Sequence, residues 1–141
     1  MPAEAPSVAF LDSNVLIYAL GCDAAKKAVA VALLESEAVI STQVLGEIAN
    51  VMRRKLGFTP QQADEVVADM IRRLDVVLIA PQTILSALQL AQRYSLSHFD
   101  AQIVASALEA GCEVLYSEDM QAGQVFDDRL RVVNPFATQA C

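Results

Sequence analysis

The chain is poor in the residues that build disulfide frameworks and zinc clusters. It has 141 residues with no tryptophan, three cysteines and one histidine, His98. Cys22, Cys112 and Cys141 are far apart and form no C-x-x-C pair, so we expect no disulfide framework and a cytoplasmic location. No apolar run approaches the roughly 18 residues that span a bilayer. Residues 1–6 form a polar, proline-containing tail without the pattern of a signal peptide.

Basic residues are also scarce. The chain carries 10 Lys and Arg against 17 Asp and Glu, with a net charge of −7. This balance argues against a protein that coats nucleic acid by bulk charge, but it allows an enzyme that reaches phosphate through a metal. The sequence also lacks G-x-G-x-x-G, G-x-x-x-x-G-K-[ST], H-E-x-x-H and G-x-S-x-G. These absences exclude the usual hydride-transfer, P-loop, zinc-protease and nucleophile-elbow chemistries.

Aliphatic residues dominate what is present, and short apolar runs alternate with amphipathic segments. Hydrophobic residues make up 55% of the chain and aromatic residues 6%. The apolar runs predict strands over residues 8–11, 38–40, 76–79, 113–116 and 131–133. Periodicity and capping residues predict helices over residues 24–33, 43–56, 60–74, 81–94 and 99–110. The alternation predicts one α/β domain, residues 7–137, with a mostly parallel central sheet between two helical layers, as in Rossmann-type folds.

Two acids follow predicted strands. Asp12 ends the first strand, and Asp119 lies three residues beyond Tyr116, the end of a later one. Adjacent parallel strands bring their carboxyl ends to the same edge of the sheet, so these carboxylates can meet there. Each can equally be a turn residue or a helix N-cap, since aspartate is favoured at both.

Two further acids stand on predicted helices. Glu47 lies at the border of a polar stripe and has no basic residue three or four positions away, so the usual helix salt bridge is missing. A helical wheel places Asp100 on the apolar side of its helix, opposite Gln102 and Ser106. Asp100 also fits a capping box with Ser97, and this role and a site role remain open.

Taken together, the four acids indicate a site for a cation. Carboxylates brought close repel one another, and some protonate unless a cation neutralises them. An all-oxygen set of ligands suits Mg²⁺ or Mn²⁺. The sequence therefore predicts a metal site made by Asp12, Glu47, Asp100 and Asp119.

The same residues resemble the motifs of a known family. The stretch from Phe10 to Tyr18, FLDSNVLIY, resembles the opening of a PIN domain. LGEIAN around Glu47, SHFDAQIVASA around Asp100, LYSED ending at Asp119 and LRVVNPF near the carboxyl end follow in the order of that family. The match spans nearly the whole chain, and single-domain bacterial members of this length are mostly VapC-type toxins of type II toxin–antitoxin systems.

This resemblance implies a Mg²⁺- or Mn²⁺-dependent endoribonuclease. The four acids would hold the metal, Asn14 would steady Asp12, and Ser117 would bond to the acidic cluster. A homodimer and a small cognate antitoxin that covers the site are the implied partners, beside the RNA substrate. Glu118 adjoins Asp119, and the family pattern favours Asp119 as the ligand.

Other interpretations remain at this point. Arg54 and His98 are candidates for contact with RNA, and the other basic groups are also compatible with solvated helix faces. A non-catalytic RNA- or protein-binding domain on the same fold is one alternative. An aspartyl-nucleophile phosphatase is another, although Asn14 and the absence of any lysine after Lys55 weigh against it.

Overall fold

The structure is a computed structural model that describes residues 8–136. The predicted tail, residues 1–6, Cys141 and both predicted ends of the domain, residues 7 and 137, lie outside the described residues. Within the described part, Cys22 and Cys112 are free thiols. None of its helices is long and apolar enough to cross a membrane.

Six strands and six α-helices alternate along the described chain. The strands are β1 (Ala9–Leu11), β2 (Ala38–Ser41), β3 (Asp75–Val77), β4 (Val114–Tyr116), β5 (Val125–Phe126) and β6 (Leu130–Val133). The helices are α1 (Ser13–Ile17), α2 (Ala24–Leu34), α3 (Thr42–Arg54), α4 (Pro60–Arg73), α5 (Pro81–Tyr94) and α6 (His98–Glu109), with a 3₁₀ turn at Tyr18–Leu20. The predicted fold class is confirmed.

The strands form one sheet in the order β3-β2-β1-β4-β6-β5, parallel except for the antiparallel pair β5 and β6. The strand order reverses at β1, with β2 and β3 on one side and β4 and β6 on the other. Because crossovers between parallel strands are right-handed, this reversal places the helices in two layers. The carboxyl ends of β1 and β4 are in register, since Leu11 pairs with Tyr116. The residues that follow these two strands are therefore neighbours.

Capping residues set several helix ends as the sequence predicts. Asp23 caps α2, and Thr59 with Gln62 forms a complete capping box before Pro60 of α4. Gly57 and Gly111 have positive φ of 71° and 75°, the left-handed conformation that stops a helix at low cost for glycine.

Two elements were not predicted, and one strand is shifted. The five residues of α1 are too few to show a helical period, and β5 has only two residues. The predicted strand 76–79 is instead Asp75–Val77, and Leu78 just beyond it is 73% exposed. The core is mainly aliphatic, and its largest fully buried side chains are Phe10, Phe126, Leu11, Leu16, Ile40, Ile48, Met52, Ile103, Leu115 and Leu130.

Candidate functional site

Asp12 lies at the reversal of strand order, where β1 ends and α1 begins. It is the N-cap of α1, because its Oδ1 accepts a hydrogen bond from Ser13 N at 2.8 Å. Its Oδ2 accepts from Ser117 Oγ at 2.9 Å. The side chain is only 6% exposed. The helix-cap interpretation of Asp12 is therefore correct, and the same residue stands at the crevice where open α/β sheets place ligands.

The carboxyl of Asp12 is held in an environment that disfavours its charge. Burial is the main cause that raises its pKa from 3.8 to about 6, and the negative charges of Glu47 and Asp100 add to the rise. The hydrogen bonds from Ser117 and Ser13 work in the opposite direction. Glu47 and Asp100 thus lie close enough to Asp12 to act on it electrostatically.

Asn14 joins Asp12 to Asp119. Its Nδ2 donates to Asp12 Oδ2 and to Asp119 Oδ2, both at 3.2 Å, and lies 3.4 Å from Ser117 Oγ. Its Oδ1 accepts from the backbone nitrogen of Glu118 at 3.0 Å. One amide therefore fixes two carboxylates and the loop after β4, which agrees with the supporting position predicted for Asn14.

Ser117 holds the start of the loop after β4 in place through its hydrogen bonds. Its hydroxyl is fully buried, donates to Asp12 and accepts from Met120 N at 3.3 Å. This contact follows from the register of β1 and β4, since Ser117 comes directly after β4 as Asp12 comes after β1. The structure places Ser117 against the acidic cluster, as expected.

Glu118 and Asp119 belong to different groups of side chains. Glu118 accepts hydrogen bonds from Tyr18 Oη at 2.6 Å and from Lys26 Nζ at 2.7 Å. The hydrogen bond from the Lys26 ammonium holds the pKa of Glu118 below its usual range. Asp119 is exposed and bonds to Asn14. Of the two neighbouring acids, Asp119 is thus the one that joins Asp12.

Glu47 reaches the same region from the second turn of α3. Its Oε1 accepts from Ser13 Oγ at 2.9 Å, and its Oε2 accepts from Gln43 Nε2 at 3.3 Å. Gln43 also donates to the backbone oxygen of Phe99 at 3.2 Å and accepts from Gln102 Nε2 at 2.8 Å. The missing helix salt bridge of Glu47 is replaced by polar contacts with α1 and with its own helix, and Gln43 extends these contacts to α6.

Sequence reasoning missed Ser13, Gln43 and Gln102. Ser13 adjoins Asp12 and Gln43 stands one helical turn before Glu47, so their spacing was visible in the sequence. Gln102 was assigned to the polar side of its helix, yet it is 6% exposed. Its burial depends on packing around α6, which a helical wheel does not contain.

The prediction that Asp100 faces the core is wrong. Asp100 is exposed in the first turn of α6, and continuous burial begins only at Ala101. The first turn extends beyond the packed part of the helix, so the apolar arc of the wheel does not apply to it. Ser97 Oγ caps this turn by accepting from Asp100 N at 3.4 Å. Asp100 nevertheless contributes its charge to the environment of Asp12.

The two residues considered for RNA contact lie in different places. Arg54 is exposed in the last turn of α3, about two turns beyond Glu47, so the structure does not bring it to the acids. His98 is exposed in the first turn of α6, two residues before Asp100.

We use the name acidic edge for Asp12, Glu47, Asp100 and Asp119. None of these four forms an ion pair with a basic residue within residues 8–136. In the same range, no three histidine, cysteine, aspartate or glutamate side chains are close enough to hold one metal ion together. Mg²⁺ is commonly held by one or two carboxylates, with water and substrate phosphate completing its shell. Asp12 and Asp119, which share the Asn14 amide, offer such a pair, and the uncompensated negative charge fits a divalent cation.

Comparison with known proteins relates the chain to one family. A family model described as the PIN domain matches residues 9–125. No curated protein sequence matches the chain significantly.

Solved structures similar in fold include a bacterial toxin and a chain of a toxin–antitoxin complex. The chain is similar to the sarcin-ricin-loop-cleaving toxin VapC20 of Mycobacterium tuberculosis, with 20% identity, a TM-score of 0.64 and coverage of 79% of this chain and 89% of that chain. It is also similar to a chain of a toxin–antitoxin complex from Klebsiella pneumoniae, with 20% identity and a TM-score of 0.69. The match covers 90% of this chain and 97% of that chain. A third is FitAcB of Neisseria gonorrhoeae, with 16% identity, a TM-score of 0.63 and coverage of 92% and 99%. At these identities the likeness shows the shared fold.

Proposed function

The chain belongs to the PIN domain family, and from this membership and the acidic edge we propose that it is a Mg²⁺- or Mn²⁺-dependent endoribonuclease. The observation that carries the proposal is the bond of Asn14 Nδ2 to both Asp12 and Asp119. Together with the approach of Glu47 and Asp100, it concentrates carboxylates that no basic side chain within residues 8–136 neutralises. A divalent cation near such a group would favour the charged form of its carboxylates.

Different side chains would hold the cation and orient the carboxylates. Asp12 and Asp119 would hold the cation, and Glu47 and Asp100 would be further carboxylates near the water bound to it. Asn14 and Ser117 orient Asp12, and Ser13 with Gln43 orients Glu47. When bound, the cation supplies an activated water and stabilises charge on the phosphate. Burial raises the pKa of Asp12 to about 6, and a bound cation would lower it again, because a nearby positive charge favours the carboxylate.

The biological role proposed here is that of a toxin in a type II toxin–antitoxin system. Two of the similar structures are described as a toxin and as a toxin–antitoxin complex. The proposed location is the cytoplasm, where RNA and antitoxin both occur.

A cleft of about 410 Å³ supports binding of an antitoxin. Its apolar wall combines Leu20, Val31 and Leu34 on one side with Val66 and Met70 of α4 on the other. Glu35 and Glu65 also line it, so an apolar segment flanked by basic residues complements its charge.

The exposed face of α5 supports homodimer formation. Ile84, Leu85 and Leu88 are 40%, 55% and 52% exposed, and they stand on one side of the helix. Burial of such a stripe against a second copy removes apolar surface from water.

The test is cleavage of single-stranded RNA by the purified protein with Mg²⁺ and with EDTA. Wild type should cut only with Mg²⁺, and Asp100→Asn should lose most of this activity. Glu109→Gln is the matched control on the same helix, because Glu109 bonds to Thr83 at the other end of α6. An Asp100→Asn variant that cleaves as well as wild type would refute the site, and absence of cleavage by wild type would favour a binding domain. Hydrolysis of a small aryl phosphate, but not RNA, would favour the phosphatase.

A further inference from the structure

Phe99 is an exposed aromatic side chain at the amino-terminal turn of α6. It is 61% exposed, and it is the only exposed phenylalanine or tyrosine within residues 8–136. The other large apolar side chains on the described surface are aliphatic. An exposed phenylalanine ring leaves its face available to a flat partner such as a nucleic-acid base.

The backbone of Phe99 is anchored to the acidic edge. Its carbonyl oxygen accepts from Gln43 Nε2 at 3.2 Å, and the same amide nitrogen lies 3.3 Å from Glu47 Oε2. The next residue is Asp100, whose charge acts on Asp12. Phe99 therefore stands on the rim of the acidic edge, on a turn that Ser97 caps.

The ring itself has one aromatic neighbour. His98 contacts it edge to face, with ring centroids 5.1 Å apart and an angle of 73° between the planes. Most of the surface of the Phe99 side chain stays open to solvent.

We infer that Phe99 stacks on an unpaired base of the RNA beside the phosphate that is cleaved. The inference rests on the proposed ribonuclease function and adds a residue that would contact the substrate beside the acidic edge. A net charge of −7 gives little general attraction for phosphates, and the cation at the acidic edge reaches only the phosphate next to it. Stacking needs no charge and accepts any base, so it supplies affinity that does not depend on the net charge of the chain. Bases in a duplex are already stacked, so the rim ring selects unpaired nucleotides.

The absence of tryptophan from the chain makes a direct optical test available. Phe99→Trp introduces a single tryptophan on the rim. The matched control is Ile71→Trp, because Ile71 is 52% exposed near the end of α4. This end of α4 leads into the amino end of β3, whereas the acidic edge lies at the carboxyl ends of the strands. Stopped-flow mixing of Phe99→Trp with a single-stranded RNA of about 12 nucleotides in Mg²⁺ should quench the tryptophan emission before product forms. The emission of Ile71→Trp should not respond, and a duplex of the same sequence should quench Phe99→Trp much less.

Steady-state cleavage gives an independent measure. Phe99→Ala should raise KM for single-stranded RNA by about 5- to 100-fold with little change in kcat, and Phe99→Tyr should restore wild-type KM. Unchanged KM in Phe99→Ala, or unquenched emission of Phe99→Trp while a labelled RNA binds, overturns the stacking role and leaves the ribonuclease function standing. Emission of Phe99→Trp that changes with protein concentration alone overturns it in favour of burial by a second copy. Failure of wild type to bind and cleave RNA overturns both proposals.

Discussion

Glu118 and Asp119 are adjacent in sequence, but their side chains bond to different partners. Glu118 is paired with Lys26 at 2.7 Å, and Asp119 bonds to Asn14 at 3.2 Å. The backbone nitrogen of Glu118 also bonds to Asn14 Oδ1, so the Lys26 pair and the acidic edge share one loop. This loop therefore carries one acid for structure and one for the proposed chemistry.

The pair makes a matched test of the site. Asp119→Asn should lower kcat for RNA cleavage roughly 100-fold or more, because removal of a metal-binding carboxylate costs several kcal/mol of transition-state stabilisation. Glu118→Gln keeps the backbone bond to Asn14 and should retain activity within several-fold. Both rates are measured at saturating Mg²⁺. Equal losses in the two variants would contradict the division between these acids.

Asn14 provides a second prediction. Asn14→Ala removes the amide that joins Asp12 to Asp119, and outer contacts of this kind are typically worth about 10- to 100-fold in metal affinity or activity. The Mg²⁺ concentration for half-maximal cleavage should therefore rise. Asn50→Ala is the control, since Asn50 is exposed on α3. If both variants require the same Mg²⁺ concentration as wild type, Asn14 has no such role.

The raised pKa of Asp12 predicts a dependence of stability on pH in metal-free protein. The unfolded chain loses this proton near pH 3.8 and the folded chain only near pH 6. The contribution of the protonated Asp12 carboxyl to the free energy of unfolding is therefore fully present below about pH 4. It is lost as the pH rises through about 6, and the total loss is roughly 3 kcal/mol. Urea unfolding in EDTA between pH 4 and 7 measures it. Because Asp12→Asn has no such proton, the wild type should lose stability relative to this variant as the pH rises. Parallel curves would show that burial does not disfavour the Asp12 charge.

The sequence predicted through strand ends that Asp12 and Asp119 lie near each other, and both bond to Asn14 in the structure. Asp12 and Asp119 follow β1 and β4, and their meeting depends only on these strands being parallel neighbours. The short apolar runs and the alternation with helices were sufficient for that inference. The same logic explains why the overall α/β class was predictable.

The remaining parts of the site depend on packing that a single sequence does not contain. Asp100 is exposed because the first turn of α6 extends beyond its packed neighbours, whereas Gln102 is buried two residues later. The contact of Gln43 with Phe99 joins residues 56 positions apart. A helical wheel for one helix shows neither how much of that helix is packed nor which residues of other helices contact it.

The central claim is that carboxylates of the acidic edge hold one divalent cation together. Titration of the metal-free protein with Mn²⁺, followed by calorimetry, tests it without dependence on the RNA sequence. Wild type and Glu118→Gln should bind Mn²⁺ with similar affinity, and Asp12→Asn and Asp119→Asn should each bind at least about tenfold more weakly. Equal affinity in wild type, Asp12→Asn and Asp119→Asn would contradict the claim.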